Sequence, residues 1–254
     1  MPRAVTLCDS VNAMDNSDFL TAIERDSAAF RAAAVAAGLD ADVAACPGWT
    51  VADLVWHLTE VHYFWSTVVV DHAGSWQDVV RIDRVPDIEL FDAFDEHSRR
   101  LLDVLSSHDP ADEVWTWSAD HSVGFVVRRM AQETAIHAWD AALAAGSPLD
   151  IDAELASDGI DEFLEHFLPD VADGAEPVGG SVHIHCGDVA GEWTIRPSDD
   201  GFDITREHAK GDCALRGPAS NLLLALWRRV GQHAIDVVGD ADVADRFLAT
   251  ANLT

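Results

Sequence analysis

Three side chains stand out as a possible reaction centre: His57, Glu133 and His137. In the stretch around His57, Leu54, His57, Leu58, Val61 and Trp65 fall at i, i+3, i+4, i+7 and i+11, one face of a helix. Around Glu133, the residues Val126, Met130, Glu133, His137 and Ala141 form a second stripe, so a carboxylate and an imidazole sit one turn apart among apolar neighbours. An ionised Glu in an apolar core is costly unless it protonates, pairs with a cation or binds metal. Two imidazoles and one carboxylate suit Zn²⁺ and leave a fourth position for water or substrate. A plainer reading stands beside this one, because Glu and His at i, i+4 are common on exposed helix faces and an inward His is often a hydrogen-bonded core residue.

Other candidates have weaker support. His183 and His185 share a strand face but have no evident third partner, so solvated residues are expected there. His62 lies about 140° round the helix from His57, which argues against shared ligation. Cys46 precedes a helix start that could lower its pKa, although a buried inert thiol is the simpler expectation. Arg81, Arg84, Arg128 and Arg129 are candidates to hold substrate carboxylates, and the Arg228-Arg229 pair is another. Asp140, one turn beyond His137, could accept an imidazole N–H and fix its tautomer. No phosphate-cradling glycine loop or Gly-x-Ser-x-Gly elbow is present, and no general base is assigned.

The elements that must position these residues are legible. Helical spacing runs over residues 15–37, 51–72, 90–107 and 122–145, the second beginning at Thr50 with Asp53 completing a capping-box variant. Four helices suggest a bundle over residues 1–148. Beyond Pro148 a helix over 153–167 precedes strand patterns at 181–186, 192–196, 202–207 and 213–216, then helices near 222–227 and 241–251. This predicts a small antiparallel sheet in a second, α+β domain over 149–254. The fold class is therefore two-domain, all-α plus α+β.

The chain has 254 residues, of which 16 are Lys or Arg and 45 Asp or Glu, a formal net charge of −29. Acidity spread over both halves opposes binding to nucleic acid or anionic membranes. The four cysteines, Cys8, Cys46, Cys186 and Cys213, form no paired motif, so reduced thiols are expected. With no signal-like start and no long apolar run, a cytoplasmic location is expected, as monomer or homodimer.

The runs Cys46-Pro47-Gly48-Trp49-Thr50-Val51-Ala52-Asp53-Leu54-Val55-Trp56-His57-Leu58 and Glu133-Thr134-Ala135-Ile136-His137-Ala138-Trp139-Asp140 resemble the mycothiol-dependent maleylpyruvate isomerase family of the DinB-like superfamily. The segment from Gly217 to Arg229 resembles that family's sterol-carrier-like second domain, so the likeness covers nearly the whole chain. The resemblance implies a DinB-like four-helix bundle with zinc on His57, Glu133 and His137, and mycothiol as thiol cosubstrate in an actinobacterial cytoplasmic enzyme. It implies an isomerase or S-transferase acting on a small electrophile, such as a dicarboxylate. Fold and site alone do not fix the chemistry. The alternative is a non-catalytic small-molecule or lipid-binding regulatory protein with a structural metal.

Overall fold

A computed structural model describes residues 14–199 and 201–253. Cys8 and Asp200 of the expected 197–201 turn lie outside them. The first four helices are α1 (Asn16–Ala37), α2 (Val51–Asp71), α3 (Leu90–Ser107) and α4 (Val123–Ala144). Their starts are chemically specified. Asp15 caps α1 and Thr50 caps α2, each in a capping box with an Asp three residues on, while the Ser122 hydroxyl accepts the Phe125 N–H at the start of α4. Helix α1 packs along α4 and α2 along α3, with α2 also crossing α4, which sets the facing stripes of α2 and α4 side by side. Phe30, Leu54, Leu58, Leu90 and Phe94 form the buried packing near the first half of α2. Phe30 and Phe94 meet with ring centroids 4.9 Å apart.

After α4, helix α5 (Ala153–Glu162) continues into a π turn over Phe163–Phe167, so the expected helix has the right extent with a wider last turn. That turn stacks Phe163 on Phe167 and sets both rings edgewise against Trp227. Gly159 permits close approach here: a Cβ would collide with Gln132 Oε1 of α4 and lie 2.9 Å from Leu223.

The sheet contains β1 (Val182–Cys186), β2 (Glu192–Ser198), β3 (Gly201–Thr205), β4 (Cys213–Gly217) and β5 (Asp236–Gly239), in the order β3-β2-β1-β4-β5. Helix α6 (Ala219–Leu226) lies between β4 and β5 in sequence, and α7 (Ala241–Thr250) follows. The structure corrects two expectations. The central β1–β4 pairing is parallel, with Ile184 opposite Leu215, so the sheet is mixed. The four-residue strand β5 forms an unexpected edge, antiparallel to β4. A parallel pair needs a long return connection; here β2 and β3 form a hairpin before the chain comes back to β1. Val182, Ile184, Cys186, Trp193, Ile195, Cys213 and Leu215 are buried, and α6 and α7 pack over β1 and β4. His183, His185, Glu192 and Thr194 alternate with them on the other face. One apolar core cluster runs from α1 and α4 through α5 to the sheet. No helix among the described residues is long and apolar enough to cross a membrane.

Candidate metal centre

The capping box at Thr50 fixes where α2 begins, which places Leu54 and Leu58 wholly inside and His57 at the bundle margin, its side chain about a third exposed. The Trp49 ring leans on it, centroids 5.1 Å apart. Across from it, α4 presents Glu133 and His137 from successive turns. The three side chains converge. His57 Nε2 lies 3.1 Å and His137 Nε2 3.2 Å from the same oxygen, Glu133 Oε1. The two imidazoles meet edge to face, with centroids 5.0 Å apart.

Two of the three ligand candidates, His137 and Glu133, are held from behind. Asp140 Oδ2 lies 3.0 Å from His137 Nδ1 and accepts its proton. Asp140 is wholly buried and also accepts from Arg229 Nη2 at 3.1 Å and Nε at 3.3 Å. The other Glu133 oxygen accepts from Arg129 Nη2 at 2.7 Å, while Arg129 Nη1 pairs with the buried Glu162 of α5. Arg129 also sits over the Phe167 and Trp227 rings, at 5.3 and 5.9 Å. Two ion-pair chains, Glu162–Arg129–Glu133 and Arg229–Asp140–His137, thus tie the α4 residues to the second half of the chain.

This arrangement tests the fit to a metal. With its Nδ1–H given to Asp140, a neutral His137 turns a lone pair on Nε2 toward a carboxylate oxygen, and only a cation between them removes the repulsion. The cation can be a proton or a metal ion. Burial opposes a charged His137, but Glu133 and Asp140 outweigh it, and the imidazole is pushed up to about 9. Burial likewise opposes the Glu133 carboxylate, yet His137, His57 and Arg129 hold it well below the usual carboxylate range. In tetrahedral zinc sites, bonds of about 2.0–2.1 Å separate ligand atoms by roughly 3.3–3.4 Å. The observed 3.1 and 3.2 Å are close to that edge, and all three donor atoms lie within 4.8 Å of one another. The donor set fits a hard-to-borderline divalent ion.

His57 also lines a cavity of about 340 Å³ with Glu60, Tyr63, Phe64, Arg81 and Ile82. The structure separates the four candidate arginines. Arg84 pairs with Asp53 at 2.5 Å, Arg128 with Asp158 at 2.9 Å and Glu165 at 3.2 Å, and Arg129 is engaged as above. Arg81 makes no hydrogen bond or ion pair among the described residues and faces the cavity. Of the second pair, Arg229 holds Asp140, whereas Arg228 binds the Leu248 and Ala251 carbonyls.

His62 is buried and not part of the triad, its Nε2 3.1 Å from Thr134 Oγ1. Burial pushes it down to about 3. Burial, followed by Asp140, raises the Cys46 thiol, opposite to activation by the helix start. His183 and His185 differ from expectation: Glu192 and His208 join them, and His183 is buried. The roles of Arg229 and Glu162 toward the site were not legible, because Asp140 and Arg229 are 89 residues apart and no local pattern joins them.

Both halves of the chain are similar to known proteins. Residues 20–142 match the family described as the mycothiol maleylpyruvate isomerase N-terminal domain, and residues 154–246 match the C-terminal domain of the same family. A crystal structure of the mycothiol-dependent maleylpyruvate isomerase is similar at 12% identity, over 88% of this chain and 93% of that one, with a TM-score of 0.59. A crystal structure of a histidine-to-alanine mutant of that enzyme matches at 11% identity, with the same coverage and TM-score. At such identities the likeness is one of fold. No curated protein matches the chain.

Proposed function

The chain belongs to the mycothiol maleylpyruvate isomerase family, and from that premise we propose that it is a zinc- and mycothiol-dependent isomerase of a small electrophilic dicarboxylate. The observation that carries the reading is the approach of His57 Nε2 and His137 Nε2 to one oxygen of Glu133. These three residues would hold the ion, and a bound divalent metal supplies the Lewis acidity that lowers the pKa of a thiol or water.

The chain's own groups prepare the rest. Asp140 keeps the His137 proton on Nδ1, and Arg229 keeps Asp140 ionised and fixed. Arg129 occupies the second Glu133 oxygen, leaving the first directed at the imidazoles. Arg81 offers a planar, unpaired guanidinium beside His57 for a substrate carboxylate. The apolar cavity wall of Val61, Phe64, Val79 and Ile82 favours a partly desolvated substrate. With a cis-enedioic acid, thiolate addition forms a C–S bond and turns the double bond into a rotatable single bond. Rotation and elimination then return the thiol and release the trans isomer. If the adduct is instead protonated and released, the same step ends as S-conjugation.

A boundary at 148/149 between bundle and α+β domain is supported by family matches that stop at residue 142 and resume at 154. A cytoplasmic location is supported by the free thiols of Cys46, Cys186 and Cys213.

Metal analysis of the purified protein tests the site. His57→Ala and His137→Ala should each lose one zinc equivalent relative to wild type, and full retention in both removes the proposed centre. Incubation with mycothiol and maleylpyruvate tests the chemistry. Loss of the cis isomer without net thiol consumption supports the isomerase, stoichiometric consumption supports the transferase, and neither change rejects thiol chemistry.

A further inference from the structure

A second convergence of metal-competent groups lies on the face of the sheet away from α6 and α7. His183 and His185 flank the core-facing Ile184 on β1, and the antiparallel register puts Glu192 of β2 opposite His185. The chain after β3 returns over this face with His208, whose ring meets His183 at right angles, centroids 5.0 Å apart. Glu192 Oε1 contacts His185 Nδ1 closely, lies 2.9 Å from His208 Nδ1 and 3.8 Å from His183 Nε2. One ligand atom from each of the four residues can be chosen so that all lie within 4.8 Å of one another.

We propose that His183, His185, Glu192 and His208 form a second divalent-metal site, suited to a first-row ion such as Zn²⁺. Hydrogen bonding explains only part of the cluster. Glu192 satisfies His185 and His208, yet His183, 5% exposed, has a buried Nε2 with no partner and directs it into the same centre at a distance too long for a hydrogen bond. A cation at that centre would engage all four groups.

Three imidazole nitrogens and one carboxylate oxygen complete a tetrahedral set, so no position remains for a substrate. The site is therefore a structural clamp rather than a second reaction centre. It would fasten the β1–β2 hairpin to the segment after β3, which is already anchored by Arg206 to Asp161 and by the Glu207 carbonyl to Thr194 Oγ1. That anchoring holds His208 in place before any ion arrives. Arg216 stands opposite His185 in register on β4, and Glu207 adjoins His208 in sequence.

Zinc titration of the chelator-stripped protein should give two equivalents for wild type and one for His208→Ala. His208 is 71% exposed, so its removal disturbs no core packing. In a His57→Ala/His137→Ala background, which removes the bundle site, one equivalent should remain. Co²⁺ in that variant should show the intense visible absorption of a tetrahedral site, and adding His208→Ala or Glu192→Gln should weaken binding at least tenfold. The proposal is overturned if the double variant binds no zinc saturably, or if His208→Ala and Glu192→Gln leave its affinity unchanged. Failure of the bundle site would appear separately, as an equal zinc stoichiometry in wild type and in the His57→Ala/His137→Ala protein.

Discussion

Replacing Asp140 by Asn tests whether the His137 ring is set from behind. The substitution preserves shape but removes the charge and one acceptor from a wholly buried group that takes three hydrogen bonds, one from His137 Nδ1 at 3.0 Å and two from Arg229. The amide oxygen in the place of Oδ2 is a weaker, neutral acceptor for His137 Nδ1 and Arg229 Nη2, and the new NH₂ in the place of Oδ1 faces the donor Arg229 Nε. Loss of such a ligand-orienting group lowers metal affinity about 10- to 100-fold, or roughly 1.4–2.7 kcal/mol. The half-paired Arg229 adds a folding cost, bounded by the ~3–5 kcal/mol seen when one partner of a buried ion pair is removed. Zinc affinity measured by competition with a chromogenic chelator separates the two effects, because urea unfolding reports the second independently. Arg229→Lys provides the control: Asp140 keeps its contact with His137, so zinc affinity should fall less than in Asp140→Asn. A folded Asp140→Asn protein binding zinc within about twofold of wild type would refute the argument that the carboxylate sets ligand orientation.

Two further outcomes are expected. His62, pushed down to about 3 by burial, stays neutral in the folded protein while the unfolded chain protonates near pH 6.5. Its contribution is therefore fully present above pH 6.5 and is lost as pH falls toward 3, at about 1.4 kcal/mol per pH unit, or roughly 2 kcal/mol by pH 5. Urea unfolding of wild type and His62→Gln at pH 7.5 and 5 should show a smaller pH loss in the variant, and equal losses would remove His62 as the source. Arg81→Ala should raise KM for a dicarboxylate electrophile tenfold or more with zinc content unchanged, whereas an unchanged KM would show that the carboxylates bind elsewhere.

The bundle was legible because its signals are local. Apolar spacing, the Thr50/Asp53 capping box and the hydroxyl of Ser122 each act within a turn or two, and they fix both the limits of α2 and α4 and the faces that carry His57, Glu133 and His137. The contact between His57 and Glu133, 76 residues apart, was compatible with the two stripes but not fixed by them, since the same spacing also suits a hydrogen-bonded core histidine. The sheet was less legible. Its strands showed as alternation, but alternation says nothing about direction, and β5, with one half-buried and three exposed residues, lacked the pattern altogether.

Sequence by itself determined which residues face inward, because side-chain direction follows from backbone period within each element. Only the tertiary structure decided which inward groups meet. The parallel β1–β4 pairing, the return of His208 over β1, the absence of a partner for Arg81 among the described residues and the reach of Arg229 to Asp140 depend on how separate elements close on one another. A buried charge must find its counter-charge wherever packing places it, and that place is a property of the assembled core rather than of any window of the chain.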